Sequence, residues 1–268
     1  LEVKMMLVYD YHHHTNNSFD SKATMKEVCE QAIEKGIHEV CFTEHFSVNP
    51  RASTYGHMNF DRYFNDIATC QKQYGDKLSI KKGIELCEPH LLRDQYKKEL
   101  DGKYFDFILG SVHNIDNHKL REVIKREPET AYSHYFSEVF ELVSYADIDV
   151  IAHFDLMKRY AHPILGYYRY EDHASMIEKI LIKAVERHIG IEINTSGLRG
   201  GVGETLPSLD VVRRYRELGG EILTIGSDSH RVQDVGAGFN EAVQIAKDCG
   251  FDHITAFSNR VPRQIKID

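Results

Sequence analysis

No apolar run in this chain approaches the ~20 residues a membrane-spanning helix requires, so no membrane partner is expected. The opening residues Leu1-Glu2-Val3-Lys4 lack the basic start, the long apolar stretch and the small-residue cleavage site of a signal peptide. Leu1 is not methionine, and the natural start is expected at Met5 or Met6. The five cysteines are odd in number and form no Cys-x-x-Cys. Cys41 lies in an apolar strand-like run, and Cys29 and Cys70 lie in helical-looking segments, which fits reduced, buried thiols in a cytoplasmic protein. There is no long basic cluster, and the net charge is −8, so a nucleic-acid partner is disfavoured while a small phosphorylated substrate is not. No linker, low-complexity stretch or internal repeat divides the 268 residues, a routine length for one α/β barrel, so a single domain over 1–268 is expected.

What is present is an alternation of short apolar runs with amphipathic segments. Strands are predicted at 5–11, 39–43, 79–86, 105–111, 150–153, 190–194 and 221–226. Helices are predicted at 24–35, 60–74, 91–100, 131–145, 171–187, 208–218 and 235–249. Gly36 and Gly219-Gly220 sit where C-terminal caps belong, and Ser208 after Pro207 is placed to cap the sixth helix. A last short strand is expected around 254–257. Seven strand–helix units imply parallel strands with crossover helices, in a closed or nearly closed TIM-like barrel. An open doubly wound sheet is the alternative, but no Gly-x-Gly-x-x-Gly follows the first strand.

Histidine is abundant, with 16 residues, and its placement carries the chemistry. The first strand ends in Asp10-Tyr11-His12-His13-His14-Thr15, and strand alternation puts Asp10, His12 and His14 on one face and His13 on the other. The next ends are Thr43-Glu44-His45, Gly83-Ile84-Glu85, Gly110-Ser111-Val112-His113 and Ala152-His153-Phe154-Asp155. The seventh is Gly226-Ser227-Asp228-Ser229-His230. In a parallel barrel all these ends meet on one rim. A single strand-end histidine is more often a hydrogen-bonded core or loop residue than a ligand. Six of seven strands ending in His, Asp or Glu are harder to dismiss, because without a metal they would bury polar groups against one another. Imidazole with carboxylate suits zinc, iron or manganese. The other ten histidines need no function, although His57 and His118 fall in loops near the rim.

These motifs, with Ser18-x-Asp20 added, resemble the PHP (polymerase and histidinol phosphatase) family over nearly the whole chain. The resemblance implies a distorted seven-stranded (β/α)7 barrel with three divalent metal ions at the C-terminal rim of its strands. It implies that His12, His14, Glu85 and Asp228 hold the first ion. Glu85 would bridge to a second, held by His113 and His153, and Asp20, His45 and His230 would hold the third. Some relatives carry a histidine where this chain has Asp20.

Two stretches, His153 to Tyr160 and Glu192 to Arg199, look like the histidinol-phosphatase branch, in which Arg159 and Arg199 would contact substrate phosphate. A lone arginine is usually a solvated surface residue. The expected activity is hydrolysis of L-histidinol phosphate to L-histidinol and inorganic phosphate, a step of histidine biosynthesis, by direct attack of a metal-bridging hydroxide. Three divalent ions outweigh Asp20, Glu85, Asp228 and a hydroxide, leaving a positive pocket in an acidic protein. No leaving-group acid stands out. Residues 46–59 and 161–170 are the loops expected to recognise the rest of the substrate. The alternatives are a PHP phosphoesterase for another monoester such as phosphotyrosine or a nucleotide, an amidohydrolase, and a non-catalytic PHP module.

Overall fold

The computed structural model describes residues 8–267; residues 1–7, with Met5, Met6 and the start of the first predicted strand, lie outside the described residues. The chain runs through β1 (Tyr9–His13), α1 (Met25–Glu34), β2 (Glu39–Phe42), β3 (His45–Phe46) and α2 (Phe60–Tyr74). Then come β4 (Ser79–Cys87), α3 (Arg93–Leu100), β5 (Phe107–Ser111) and the small hairpin of β6 (Asn114–Ile115) and β7 (His118–Lys119). They are followed by α4 (Leu120–Arg126), α5 (Ala131–Tyr145), β8 (Val150–Ile151), α6 (Met157–Leu165) and α7 (Tyr170–Glu186). The remainder is β9 (Gly190–Asn194), α8 (Ser196–Arg199), α9 (Leu209–Glu217), β10 (Leu223–Gly226), α10 (Phe239–Asp248), β11 (His253–Ser258) and β12 (Val261–Lys266).

Strands β1, β2, β4, β5, β8, β9 and β10 pair in that order, each pair parallel. The seam between β10 and β1 is stitched at its upper end. Asp228 N–H donates to His12 O and His14 N–H donates to Ser229 O, both at 2.9 Å. The result is the expected barrel of seven parallel strands, nearly closed, rather than an open doubly wound sheet. Strands such as β2, β5 and β9 are buried along their whole length, as continuous apolar runs in a parallel sheet require.

Local chemistry explains the element ends. Thr24 and Glu27 form a reciprocal capping box at the start of α1, and the Asn59 side chain accepts from Arg62 N–H at the start of α2. Gly36 and Gly219 take the left-handed conformation after α1 and α9. Ser208 precedes α9 as expected, but its side chain makes no capping bond; its N–H instead donates to Asp155 Oδ2 at 3.2 Å. The segment 161–170 is mostly not a loop: α6 continues to Leu165 despite Pro163, held by packing against α4 and α5. All five cysteines are free and buried.

The lower end of the barrel is sealed. Tyr11, Phe107 and Phe257 pack ring on ring, with centroids 5.1 Å (Tyr11–Phe107) and 4.9 Å (Phe107–Phe257) apart. The antiparallel hairpin β11–β12 covers this end. Its turn residue Arg260 binds Asp149, just before β8, at 3.0 Å and donates its N–H to Asp106 O, just before β5. The polar cluster is therefore confined to the opposite rim. No described helix is long and apolar enough to cross a membrane.

Candidate metal centre

The site begins at the end of β1. His12 and His14 share a face as the alternation requires, with their Nε2 atoms 3.0 Å apart. Asp10 does not join them. The register of β1 against β2 shifts between Asp10 and His13, so Asp10 turns outward to accept from Ser227 N–H and Gly236 N–H, each at 2.8 Å. It also meets His13 Nε2 at 3.1 Å, the residue the alternation had placed on the opposite face. Two more donor residues are set by strained turns: His153 after β8 and Asp228 after β10 both have positive φ, 27° and 51°.

Glu85, on β4, is the centre of the cluster. Five imidazoles place a nitrogen within 3.6 Å of its carboxylate: His45 at 2.7 Å, His153 at 2.9 Å, His14 at 3.4 Å, His12 at 3.5 Å and His113 at 3.6 Å. Glu85 is fully buried, yet neither oxygen makes a well-aligned hydrogen bond. Asp228 Oδ1 stands 3.4 Å from His14 Nε2 and 3.7 Å from His12 Nε2. Asp20 Oδ2 lies between His45 Nε2 at 3.4 Å and His230 Nε2 at 3.3 Å. All nine residues singled out in the sequence are thus brought together. Among the described residues, ligand-type atoms gather in four groups that could hold an ion: His12/His14/Asp228, His12/Glu85/His153, His14/His45/His230 and His45/Cys87/His113.

A buried carboxylate with unpartnered oxygens amid imidazole nitrogens is the arrangement a divalent cation satisfies, so the residues fit a metal centre. Burial and neighbouring charge oppose one another at Glu85 and His12. Burial works against charge on Glu85, but the rings of His45, His12 and His113 outweigh it and hold its pKa well below the usual carboxylate range. Burial likewise opposes charge on His12, while Glu192, Asp228 and Glu85 raise its pKa well above the ordinary imidazole value. His14 goes the other way: burial and the neighbouring rings of His45 and His230 hold it neutral.

The profile of the PHP domain family matches residues 10–196. The chain belongs to the PHP family. It is 32% identical over 248 residues to a probable histidinol-phosphatase of Clostridium acetobutylicum, with 91% of this chain and 94% of the relative covered. It is 26% identical to the histidinol-phosphatase of Lactococcus lactis, over 93% of this chain and 94% of the relative. The crystal structure of histidinol phosphate phosphatase from Lactococcus lactis, complexed with zinc, L-histidinol and phosphate, shares the fold. Its TM-score is 0.86 at 24% identity, covering 96% of this chain and 98% of that one. Asp228 and His230 lie beyond the segment matched by the PHP profile, so their place in the cluster rests on the geometry.

The PHP cluster is backed by groups the sequence did not single out as part of the site. Glu192, on β9, accepts from His12 Nδ1 at 2.7 Å and fixes the ring with Nε2 facing the cluster. The fit is tight: a Cβ at Gly226 would lie 2.1 Å from Glu192 Oε1. His14 Nδ1 meets Ser18 Oγ at 3.2 Å, and Ser18 donates to the buried Glu44 at 2.6 Å. His113 Nδ1 meets Ser111 Oγ at 3.2 Å. A polar residue in the middle of an apolar strand, as in Gly190-Ile191-Glu192-Ile193-Asn194, was the available signal for Glu192.

A cavity of about 330 Å³ opens over the PHP cluster. Phe19, Thr54, Lys119, Arg121, Arg159 and Tyr160 are among its walls. Arg159 Nη2 donates to Asp228 Oδ2 at 3.2 Å and to Ser196 Oγ at 2.5 Å. Arg199 does not line the cavity; it donates to Ser227 O at 2.6 Å, behind Asp228. Residues 52–54 of the first expected recognition loop reach the cavity. From the second, Tyr168 binds Asp155 and Tyr167 binds Val202 O, outside it. His57 and His118 are exposed and do not line it.

Proposed function

We propose that this chain is a metal-dependent phosphoric monoester hydrolase that converts L-histidinol phosphate to L-histidinol and inorganic phosphate, in one domain spanning the chain. The observation that carries the proposal is Glu85, buried with both oxygens unpartnered among five imidazoles, three of which, His45, His113 and His153, line a cavity that has Arg159 in its wall. The substrate follows from the relatives named histidinol-phosphatase along most of the chain.

His12, His14, Asp20, His45, Glu85, His113, His153, Asp228 and His230 would hold three divalent ions. The zinc of the Lactococcus lactis structure supports zinc as one candidate; iron and manganese suit the same donors. When bound, such ions supply Lewis-acid charge and lower the pKa of water. The chain itself supplies the rest. Glu192, Ser18 and Ser111 hold three of the rings in place, so the donors need not reorganise on binding. Arg159, beside Asp228, offers its guanidinium to the phosphate oxygens that do not react. Arg199 reaches phosphate only by giving up Ser227 O, and otherwise steadies the Asp228 loop. In the reaction the bond from phosphorus to the histidinol oxygen breaks, and the oxygen of water becomes the fourth oxygen of phosphate.

A second reading, a PHP phosphatase for a more anionic monoester, is favoured by Lys119 and Arg121 in the cavity wall, where Asp20 and Asp228 are the only carboxylates among the described residues. Phosphate release from histidinol phosphate, phosphotyrosine, AMP and an aryl phosphate separates the two. A large kcat/KM preference for histidinol phosphate is expected; similar slow turnover of all four, or a preference for phosphotyrosine, overturns the substrate assignment.

A further inference from the structure

Lys158 and Arg159 are neighbours on the first turn of α6, yet they face opposite ways. Arg159 enters the cavity wall. Lys158 is fully buried; its ammonium donates to Thr205 O at 3.0 Å and pairs with Glu204 Oε1 at 2.7 Å and Asp155 Oδ2 at 3.0 Å. Asp155 Oδ2 also accepts from Tyr168 OH at 2.9 Å and Ser208 N–H at 3.2 Å.

The two residues close a ring. Thr205 O receives Lys158. The next residue, Leu206, exchanges backbone hydrogen bonds of 3.0 Å with Asn194 in both directions. Asn194 Oδ1 accepts from the N–H and the hydroxyl of Ser196. The Ser196 hydroxyl has one proton, given to Asn194, so its oxygen is free to accept from Arg159 Nη2. From Lys158 the circuit thus returns to the adjacent residue through segments some 40 positions away.

We propose that Lys158 is a positioning residue for Arg159, holding the guanidinium over Asp228 through this ring. The proposal rests on Arg159 as the phosphate-binding arginine. Burying a lysine is costly, and an apolar side chain of similar volume would fill the space without that cost. A methionine could not tie α6 to Thr205, and Arg159 would then have to be ordered on binding substrate.

The test is a double-mutant cycle on the metal-loaded protein, reading the inhibition constant of inorganic phosphate, KM and kcat for histidinol phosphate, metal content and Tm. Arg159→Ala is expected to weaken phosphate by ~10–100-fold. Lys158→Met is expected to weaken it by ~3–10-fold at unchanged metal content, and to have no further effect in the Arg159→Ala background. Because Lys158→Met removes a buried charge, Glu204→Gln is run beside it; its side chain is 38% exposed, and the same dependence on Arg159 is expected at ~2–5-fold. Equal losses in both backgrounds, or no loss in a folded variant, overturn the proposal alone. An unchanged phosphate constant in Arg159→Ala overturns the arginine assignment and the proposal with it.

Discussion

Glu192 Oε1 stands 2.7 Å from Nδ1 of His12, across 180 positions of sequence, and decides which ring nitrogen faces the cluster. Its other oxygen accepts from His153 N–H at 2.8 Å, so one carboxylate orients two of the proposed ligands. Replacing a carboxylate behind a ligating histidine typically costs ~10–100-fold in metal affinity. Glu192→Gln is therefore expected to weaken zinc by ~10–100-fold in a chelator-competition titration. Unchanged affinity would remove Glu192 from the site.

Metal removal gives a broader check. A thoroughly chelated sample should lose turnover and melt at lower temperature, and zinc or manganese should restore both. Glu85→Ala or His113→Ala should lower metal content and turnover together. Full activity in the stripped protein would end the metal-dependent reading.

Direct attack by water predicts the fate of oxygen. One turnover in ¹⁸O-water should place one solvent oxygen in the product phosphate. A phosphate without label after a single turnover would mean that the carbon–oxygen bond breaks instead, with the solvent oxygen in histidinol, and would overturn attack on phosphorus.

The sealed end of the barrel carries a pH signature. Asp149 is buried beside Arg260, and burial outweighs the arginine and raises the carboxyl to about 6 from its ordinary 3.8. The raised group binds its proton more tightly when folded, so its contribution is fully present below about pH 4 and is lost as pH rises through about 6. Asp149→Asn should flatten the stability–pH curve between these values, measured by urea unfolding. Parallel curves for the two proteins would contradict the shift.

At the same end, Tyr11 OH bonds Glu39 Oε1 at 2.5 Å and accepts from Phe257 N–H at 2.7 Å. Tyr11→Phe removes one bond to the buried Glu39 carboxylate and the hydroxyl that accepts from Phe257 N–H, and should cost ~1–3 kcal/mol of stability, read from denaturant midpoints. Activity at saturating metal should be unaffected, since the cluster is at the other rim.

The sequence by itself determined the barrel and the residues that meet on its rim. Periods of two and 3.6 residues are local, and seven strand–helix units leave few topologies. Parallel strands then carry His12, His14, His45, Glu85, His113, His153 and Asp228 to one end whatever the details of packing. Only the tertiary structure decided what stands behind them. Asp10 left the face that alternation gave it and joined His13 on the other, because a register shift in β1 is set by pairing with β2 and not by β1 itself. The polar and aromatic residues of 161–170 suggested a loop, but packing against α4 and α5 extended α6 to Leu165. Glu192 on His12, Asp155 on Ser208 and Lys158 on Thr205 join residues 47 to 180 positions apart. Such pairings have no period to betray them; they exist only once the folded chain has excluded water and left each buried polar group to find its partner.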